Sequence, residues 1–294
     1  MTDLVPRYLA KLAGCATPNA VNQLHIALDT YITPADVEAI LRHAAKAALP
    51  PASLEWLARL QAMASQSRLP LQPYVREAVG DSASLYTHPD LPPAGRTLVV
   101  AFAGDAHRLM MPTPVFLQHC RARDMDLMLI QDQTRSYFLR GGGGLADDFP
   151  GLVARIGADV GRRGYRRVVA FGVSGGGLPA VCMAVALGLD RAVSVGGSSP
   201  DIEDPRLALR GLSFAIFSEM LARRPVPMPE IVLVHAAGFP RDAEKAAALA
   251  ALVPARRHPV AGTGRHNVLN ERLVQGRLRP LLDALLLDGT ALDH

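Results

Sequence analysis

Ser174 sits in a setting that can make a hydroxyl reactive. It follows the apolar run Val168-Val169-Ala170-Phe171 and is bracketed by glycines as Gly172-x-Ser174-x-Gly176, ahead of an Ala-rich stretch, Ala180 to Leu189, with helical character. A strand, a sharp turn and a helix are expected. The flanking glycines are needed because a Cβ there would strike the crossing backbone. Such a turn lifts Oγ clear of the sheet and aims the following N–H groups, reinforced by the helix N-terminus, at one spot. A Ser hydroxyl becomes a good nucleophile once an imidazole takes its proton, and the imidazole works best when a carboxylate fixes its tautomer. The same glycines admit a rival, because Gly175-x-Gly177-x-x-Ala180 satisfies the dinucleotide fingerprint G-x-G-x-x-A. That fingerprint wants an acid about 20 positions on, at the tip of the next strand. Here Arg191 to Val195 runs into Gly196-Gly197-Ser198-Ser199. A plain tight turn is the third reading.

With its strand before and its helix after, this motif resembles the nucleophile elbow of the α/β-hydrolase superfamily of serine hydrolases. The resemblance covers roughly residues 82 to 294 and implies the chain order Ser, acid, His. Ser174, Asp242 and His266 follow that order. Each falls in a loop at the carboxyl end of an expected strand, the rim where open parallel sheets place their ligands. Asp201 and Asp204, after the preceding strand, are the fallback acids, and Asp242 could instead cap the helix beginning at Ala243. The resemblance also implies an oxyanion hole built from backbone N–H groups, one from Gly175 and one from Gly104 or Asp105. Ala103-Gly104-Asp105-Ala106-His107 replaces the His-Gly-Gly-Gly of many esterases, which leaves the substrate class open. His235 and His107 are expected to make local hydrogen bonds.

The elements that must position these groups alternate. From about Ser82 strands and helices succeed one another, the signature of an α/β protein with a mostly parallel central sheet covered by helices on both faces. Strands are expected at Thr97–Phe102, Asp126–Gln131, Arg167–Val173, Arg191–Val195, Ile231–His235 and Arg257–Val260. Between the second and third lies a loop, Asp132 to Asp148, holding Tyr137 and the run Gly141 to Gly144. Long loops of this kind are commonly functional, so Tyr137 is read as a substrate contact. Phe214 and Phe217, on an apolar helix near Leu212 to Leu221, could line an acyl pocket or pack in the core. Residues 1–80 read as a helical N-terminal extension or cap, and 81–294 as the α/β-hydrolase domain. Thr33-Pro34-Ala35-Asp36 is an N-cap followed by Pro at the first helical position. A second helix after Pro50-Pro51 is expected to turn Leu54, Leu57, Leu60 and Met63 inward, with Trp56 beside them.

At 294 residues and 49% hydrophobic, with a formal charge of +4, the chain can bury a large core. Only Lys11, Lys46 and Lys245 are lysines among its 31 basic residues. The arginine pairs carry no interleaved aromatics, so no nucleic-acid partner is expected, while an anionic ligand stays open. Three scattered cysteines indicate neither a disulfide framework nor a metal site, and no cofactor is called for. Leu12-Ala13-Gly14-Cys15 looks like a lipoprotein cleavage box, but Arg7 and Lys11 interrupt the apolar run a secretory signal needs, so a cytoplasmic protein without a membrane span is expected. The resulting expectation is a serine hydrolase cleaving a carboxylic ester or thioester, on a small-molecule or glycan-linked acyl substrate. An acyltransferase using the same three residues and a non-catalytic hydrolase-like scaffold are the alternatives. The N-terminal helices would serve a homo-oligomer or a protein partner.

Overall fold

The fold is taken from a computed structural model that describes residues 4–46, 48–202, 204–223 and 227–288. Four helices come first: α1 (Leu4–Ala13), α2 (Pro18–Leu28), α3 (Pro34–Ala44) and α4 (Pro51–Ala64). The sheet follows with its intervening helices: β1 (Val75–Ala78), β2 (Ala83–Thr87), β3 (Thr97–Phe102), α5 (Thr113–His119), β4 (Met125–Ile130), α6 (Phe149–Arg163) and β5 (Arg167–Val173). A single 3-10 turn (Ser174–Gly176) leads into α7 (Gly177–Leu187), β6 (Arg191–Val195), α8 (Pro205–Ala208), α9 (Ala215–Ala222), β7 (Glu230–Ala236), α10 (Pro240–Leu252) and β8 (Arg256–Val260). After β8 come α11 (Val268–Val274), α12 (Leu278–Asp283) and a π-helical turn (Ala284–Asp288).

The eight strands lie in the order β1-β2-β4-β3-β5-β6-β7-β8. β1 and β2 pair antiparallel to their neighbours and all later pairings are parallel. This is the α/β-hydrolase arrangement that the sequence resemblance implied. Strands buried on both faces read as unbroken apolar runs, and alternate residues of each supply two cores. Val99, Leu127, Phe171, Val193 and Val234 face the N-terminal helices, α5 and the C-terminal helices. Leu98, Met128, Ala170, Ala192 and Leu233 face α6, α7, α9 and α10. After β3 the chain steps to one side to make β4, then crosses back to make β5 on the other side. Open parallel sheets bind their ligands where the order reverses in this way.

Two details differ from the sequence reading. The sheet begins at Val75, inside the stretch read as helical, because β1 is a short edge strand exposed at every position and carries no periodic signal. In α4, Trp56, Leu57 and Leu60 are buried whereas Leu54 is 47% exposed, so the inward stripe is turned toward Trp56. Thr33 caps α3 as expected and forms a capping box with Asp36.

The N-terminal helices share one apolar cluster with the sheet and are tied to the loop after β3 by a buried polar chain. Trp56 Nε1 donates to Asp29 Oδ1 at 2.8 Å, and Arg108 Nη1 donates to Asp29 Oδ2 at 3.1 Å. The Asp29 carbonyl accepts from Thr113 N at 2.7 Å. Gln131 Nε2 bridges the carbonyls of Thr30 and His107 at 3.0 and 2.9 Å. Asp29→Ala leaves the buried Trp56 indole N–H and the partly buried Arg108 without their partner, and is expected to lower the unfolding free energy by about 2 kcal/mol. Arg42→Ala removes only the exposed Glu38–Arg42 pair and is expected to cost under about 0.5 kcal/mol. Urea unfolding of both variants measures the contrast, and equal losses would show that the Asp29 chain holds nothing.

Candidate active site

Ser174 follows β5 with φ of 52°, a left-handed conformation that a residue with a Cβ seldom adopts. The turn is possible because a Cβ on Gly172 would strike the Gly176 carbonyl, and one on Gly176 would strike the carbonyls of Phe102 and Ala103. The backbone of the elbow therefore rides directly over the end of β3. Register fixes the rest, since Phe102 pairs with Gly172 and brings the loop after β3 level with the elbow.

His266 reaches Ser174 from the loop between β8 and α11. Its Nε2 accepts from Ser174 Oγ at 2.9 Å, and its Nδ1–H donates to Asp242 Oδ2 at 2.7 Å. Asp242 is 2% exposed and its Oδ1 has no hydrogen-bond partner among the described residues. The imidazole, 38% exposed, remains open to the cavity. Asn267 caps α11 and donates from Nδ2 to the Met110 carbonyl at 3.0 Å, which ties the His266 loop to the loop after β3. Gly196, at the tip of β6 with φ of 60°, makes room for the pair, because a Cβ there would lie 2.9 Å from His266 Cε1.

The acid is placed differently from the sequence reading. Asp242 lies in the first turn of α10, which starts at Pro240 rather than at Ala243, and the N-cap is Phe239. The fallback acids are elsewhere: Asp201 is exposed, and Asp204 accepts from Tyr137 and Arg206.

Of the groups read as oxyanion donors, the Gly104 N–H is already engaged, donating to the Arg108 carbonyl at 3.2 Å. Gly104 also packs against the elbow, where a Cβ added to it would lie 3.2 Å from Ser174 Cβ. The Asp105 N–H makes no hydrogen bond among the described residues, and Gly175 lies at the start of a helical turn, where N–H groups have no partner within the helix. Asp105 Oδ1 lies 2.8 Å from where a Gly175 Cβ would be, so a carboxylate occupies the ground on which a dinucleotide pyrophosphate would have to rest. His107 also departs from expectation: its buried Nδ1 has no hydrogen-bond partner among the described residues, whereas His235 Nδ1 bonds the Ala236 carbonyl at 3.2 Å.

Ser174 and His266 open into a bowl of about 570 Å³, which Tyr137 also lines. Tyr137 is presented by the loop that Asp132 organises. Burial pushes the Asp132 carboxyl up, but hydrogen bonds from Thr134 Oγ1 and from the N–H groups of Phe138, Ser136 and Thr134 outweigh it and hold the pKa below the usual carboxylate range. The Tyr137 hydroxyl donates to Asp204 Oδ2 at 2.6 Å; burial, with that carboxylate, raises its pKa. Phe214 and Phe217 do not line the bowl. Phe214 packs edge-on behind Tyr137 with ring centroids 5.0 Å apart, and the fully buried Phe217 packs against Phe149. Arg206, Arg241 and Lys245 complete a largely charged wall that the sequence reading missed. One signal was present: with Asp242 in the first turn of a helix, Lys245 three residues on shares its face.

No family model and no curated protein matches the chain. Solved structures do. A dienelactone hydrolase from Anabaena variabilis is 14% identical, with 72% of this chain and 97% of that chain covered and a TM-score of 0.47. An esterase from Pyrobaculum calidifontis is 13% identical over 92% of this chain and 97% of that one, with a TM-score of 0.49. Esterase B from Lactobacillus rhamnosis, in a tributyrin phosphonate complex, is 15% identical over 85% and 96%, with a TM-score of 0.46. The fold assignment itself stands on strand order and connectivity. Among the described residues no helix is long and apolar enough to cross a membrane, and none of their His, Cys, Asp and Glu side chains cluster to hold a metal ion.

Strain at Ser174 makes a prediction about stability. Ser174→Gly and Ser174→Ala both lose the hydroxyl, but only Ala keeps a Cβ at positive φ. The Gly variant is expected to be the more stable by about 1 kcal/mol in thermal or urea unfolding. An Ala variant as stable as the Gly variant would mean the turn stores no strain.

Proposed function

We propose that the protein is a serine hydrolase that cleaves a carboxylic ester through an acyl-enzyme on Ser174. One observation carries the reading: Ser174, His266 and Asp242 form a continuous hydrogen-bonded line whose open end faces a cavity. In the first half-reaction His266 Nε2 takes the Ser174 proton as Oγ bonds the substrate carbonyl carbon. The N–H groups of Asp105 and Gly175 hold the resulting oxyanion, each such donor being worth about 10²–10³ in rate. The tetrahedral species collapses, the carbon–oxygen bond to the alcohol breaks, and His266 returns its proton to the leaving oxygen. Water then attacks the acyl-enzyme with His266 again taking a proton, and the carboxylic acid leaves as Ser174 recovers its hydrogen. Asp242 stays beneath the ring throughout, fixing its tautomer and stabilising the imidazolium.

A wide bowl with a partly exposed imidazole favours water as the acceptor, since acyl transfer depends on excluding it. The charged wall and the absence of an apolar slot in this cavity favour short acyl groups over fatty ones. The engaged acid and free Asp105 N–H argue against a non-catalytic scaffold.

The test is hydrolysis of para-nitrophenyl acetate by purified wild type, Ser174→Ala and Asp242→Asn. Ser174→Ala is expected to fall to the uncatalysed background in kcat/KM. Asp242→Asn is expected to lose about 10⁴ in kcat because the ring takes the wrong tautomer. Folded wild-type protein that hydrolyses no short-chain ester, or a Ser174→Ala variant that keeps its rate, would overturn the reading.

A further inference from the structure

Charge in the bowl is unevenly paired. Arg206 is shared by two carboxylates, with Nη1 donating to Asp105 Oδ2 at 2.8 Å and Nη2 donating to Asp204 Oδ2 at 2.7 Å. That cluster beside the elbow carries a net charge of about −1, counted at the ordinary ionisation of its members. Hydrogen bonds from Arg206 hold the Asp204 carboxyl well below the usual carboxylate range, so the cluster keeps this charge. Asp242 is taken up by His266. Arg241 and Lys245, which flank Asp242 on α10, line the same cavity. Neither side chain makes an ion pair or hydrogen bond among the described residues. Lys245 is half-buried, and burial pulls its pKa below the ordinary lysine value.

A half-buried ammonium with no contact partner, feeling Asp242 and Asp204 only at longer range, gains when a ligand supplies the counter-charge directly. Here that ligand would arrive in the cavity that holds the candidate nucleophile. The helix that carries the two cations also says which half of the ester it belongs to. The cations lie on the helix whose Asp242 holds His266, and His266 delivers its proton to the leaving oxygen.

We infer that the substrate is an anionic ester, with a carboxylate or phosphate on its alcohol half bound by Lys245 and Arg241. The inference rests on the serine-hydrolase reading and narrows it from short esters in general to those of acidic alcohols or phenols. The two cations bind and orient the leaving half.

Matched pairs of esters test this. The first pair is para-acetoxybenzoate and its methyl ester, with para-acetoxyphenyl phosphate as a second anionic member. The second pair, para-nitrophenyl hydrogen succinate and its methyl ester, carries its charge in the acyl half instead. Wild-type protein is expected to favour an anionic member of the first set over the methyl ester by at least about tenfold in kcat/KM, the scale of one charge-assisted contact, and to show no such preference in the second pair. The preference is expected to be weakened by added salt. It should fall toward one in a Lys245→Met, Arg241→Met double variant and return in Lys245→Arg, Arg241→Lys, where both charges are kept. No preference in the first set, a preference confined to the succinate pair, or a preference that survives the double Met variant would overturn the inference. Hydrolysis of the neutral esters by wild type reports the serine-hydrolase reading separately: if these are cleaved while no anionic preference is found, only the anion site fails.

Discussion

Everything in this molecule follows from a place where two backbones cross too closely for side chains. The end of β5 turns over the Phe102 carbonyl, and with glycine at 172 and 176 the chain can make that turn while holding Ser174 at positive φ. The turn orients the hydroxyl, starts α7 and sets the Gly175 N–H where a helix N-terminus adds partial positive charge. Parallel pairing of β3 with β5 then brings the loop that carries Gly104 and Asp105 against the elbow. Backbone geometry thus places both Ser174 and the groups facing it, and the side chains around them arrive as additions to that frame.

Those additions come from far along the chain, and the fold braces them. His266 meets Ser174 across 92 positions of sequence. Asn267 beside it holds the Met110 carbonyl, and Arg108 of the same loop is anchored on Asp29 of the N-terminal helices. The helical layer ahead of the sheet is therefore part of what holds the loop after β3, in addition to covering one face of the core. A loop whose N–H must be correctly aimed gains from such support, because misplacement of about 1 Å at a reacting centre can cost 10²-fold in rate.

Legibility in the sequence tracked the range of the interaction. The elbow was readable because strand, glycines and helix are contiguous, and the alternation of apolar runs gave the sheet and its helices. Chain order and the resemblance pointed to Asp242 and His266, yet Asp242 was assigned to a loop. Phe239 makes no capping hydrogen bond, so the local marks of the α10 start are Pro240 at its first position and Asp242 in its first turn. Thr17-Pro18 carries the same signal as Thr33-Pro34 and caps α2, but went unread. The engaged Gly104 N–H, the retreat of Phe214 and Phe217 into the core, and the charged wall of Arg206, Arg241 and Lys245 depend on contacts between distant segments. Apolar or charged character alone does not say which cavity a side chain meets.

The central claim is that the Ser174 oxygen is a nucleophile activated by His266. Its most direct test is covalent: treat the folded protein with a neutral alkyl fluorophosphonate, measure the intact mass, and map the adduct by peptide fragmentation. The account predicts a single phosphonyl group on Ser174, formed at a rate that collapses in His266→Ala. An unmodified Ser174 in folded protein, or a labelling rate indifferent to the loss of His266, would contradict it.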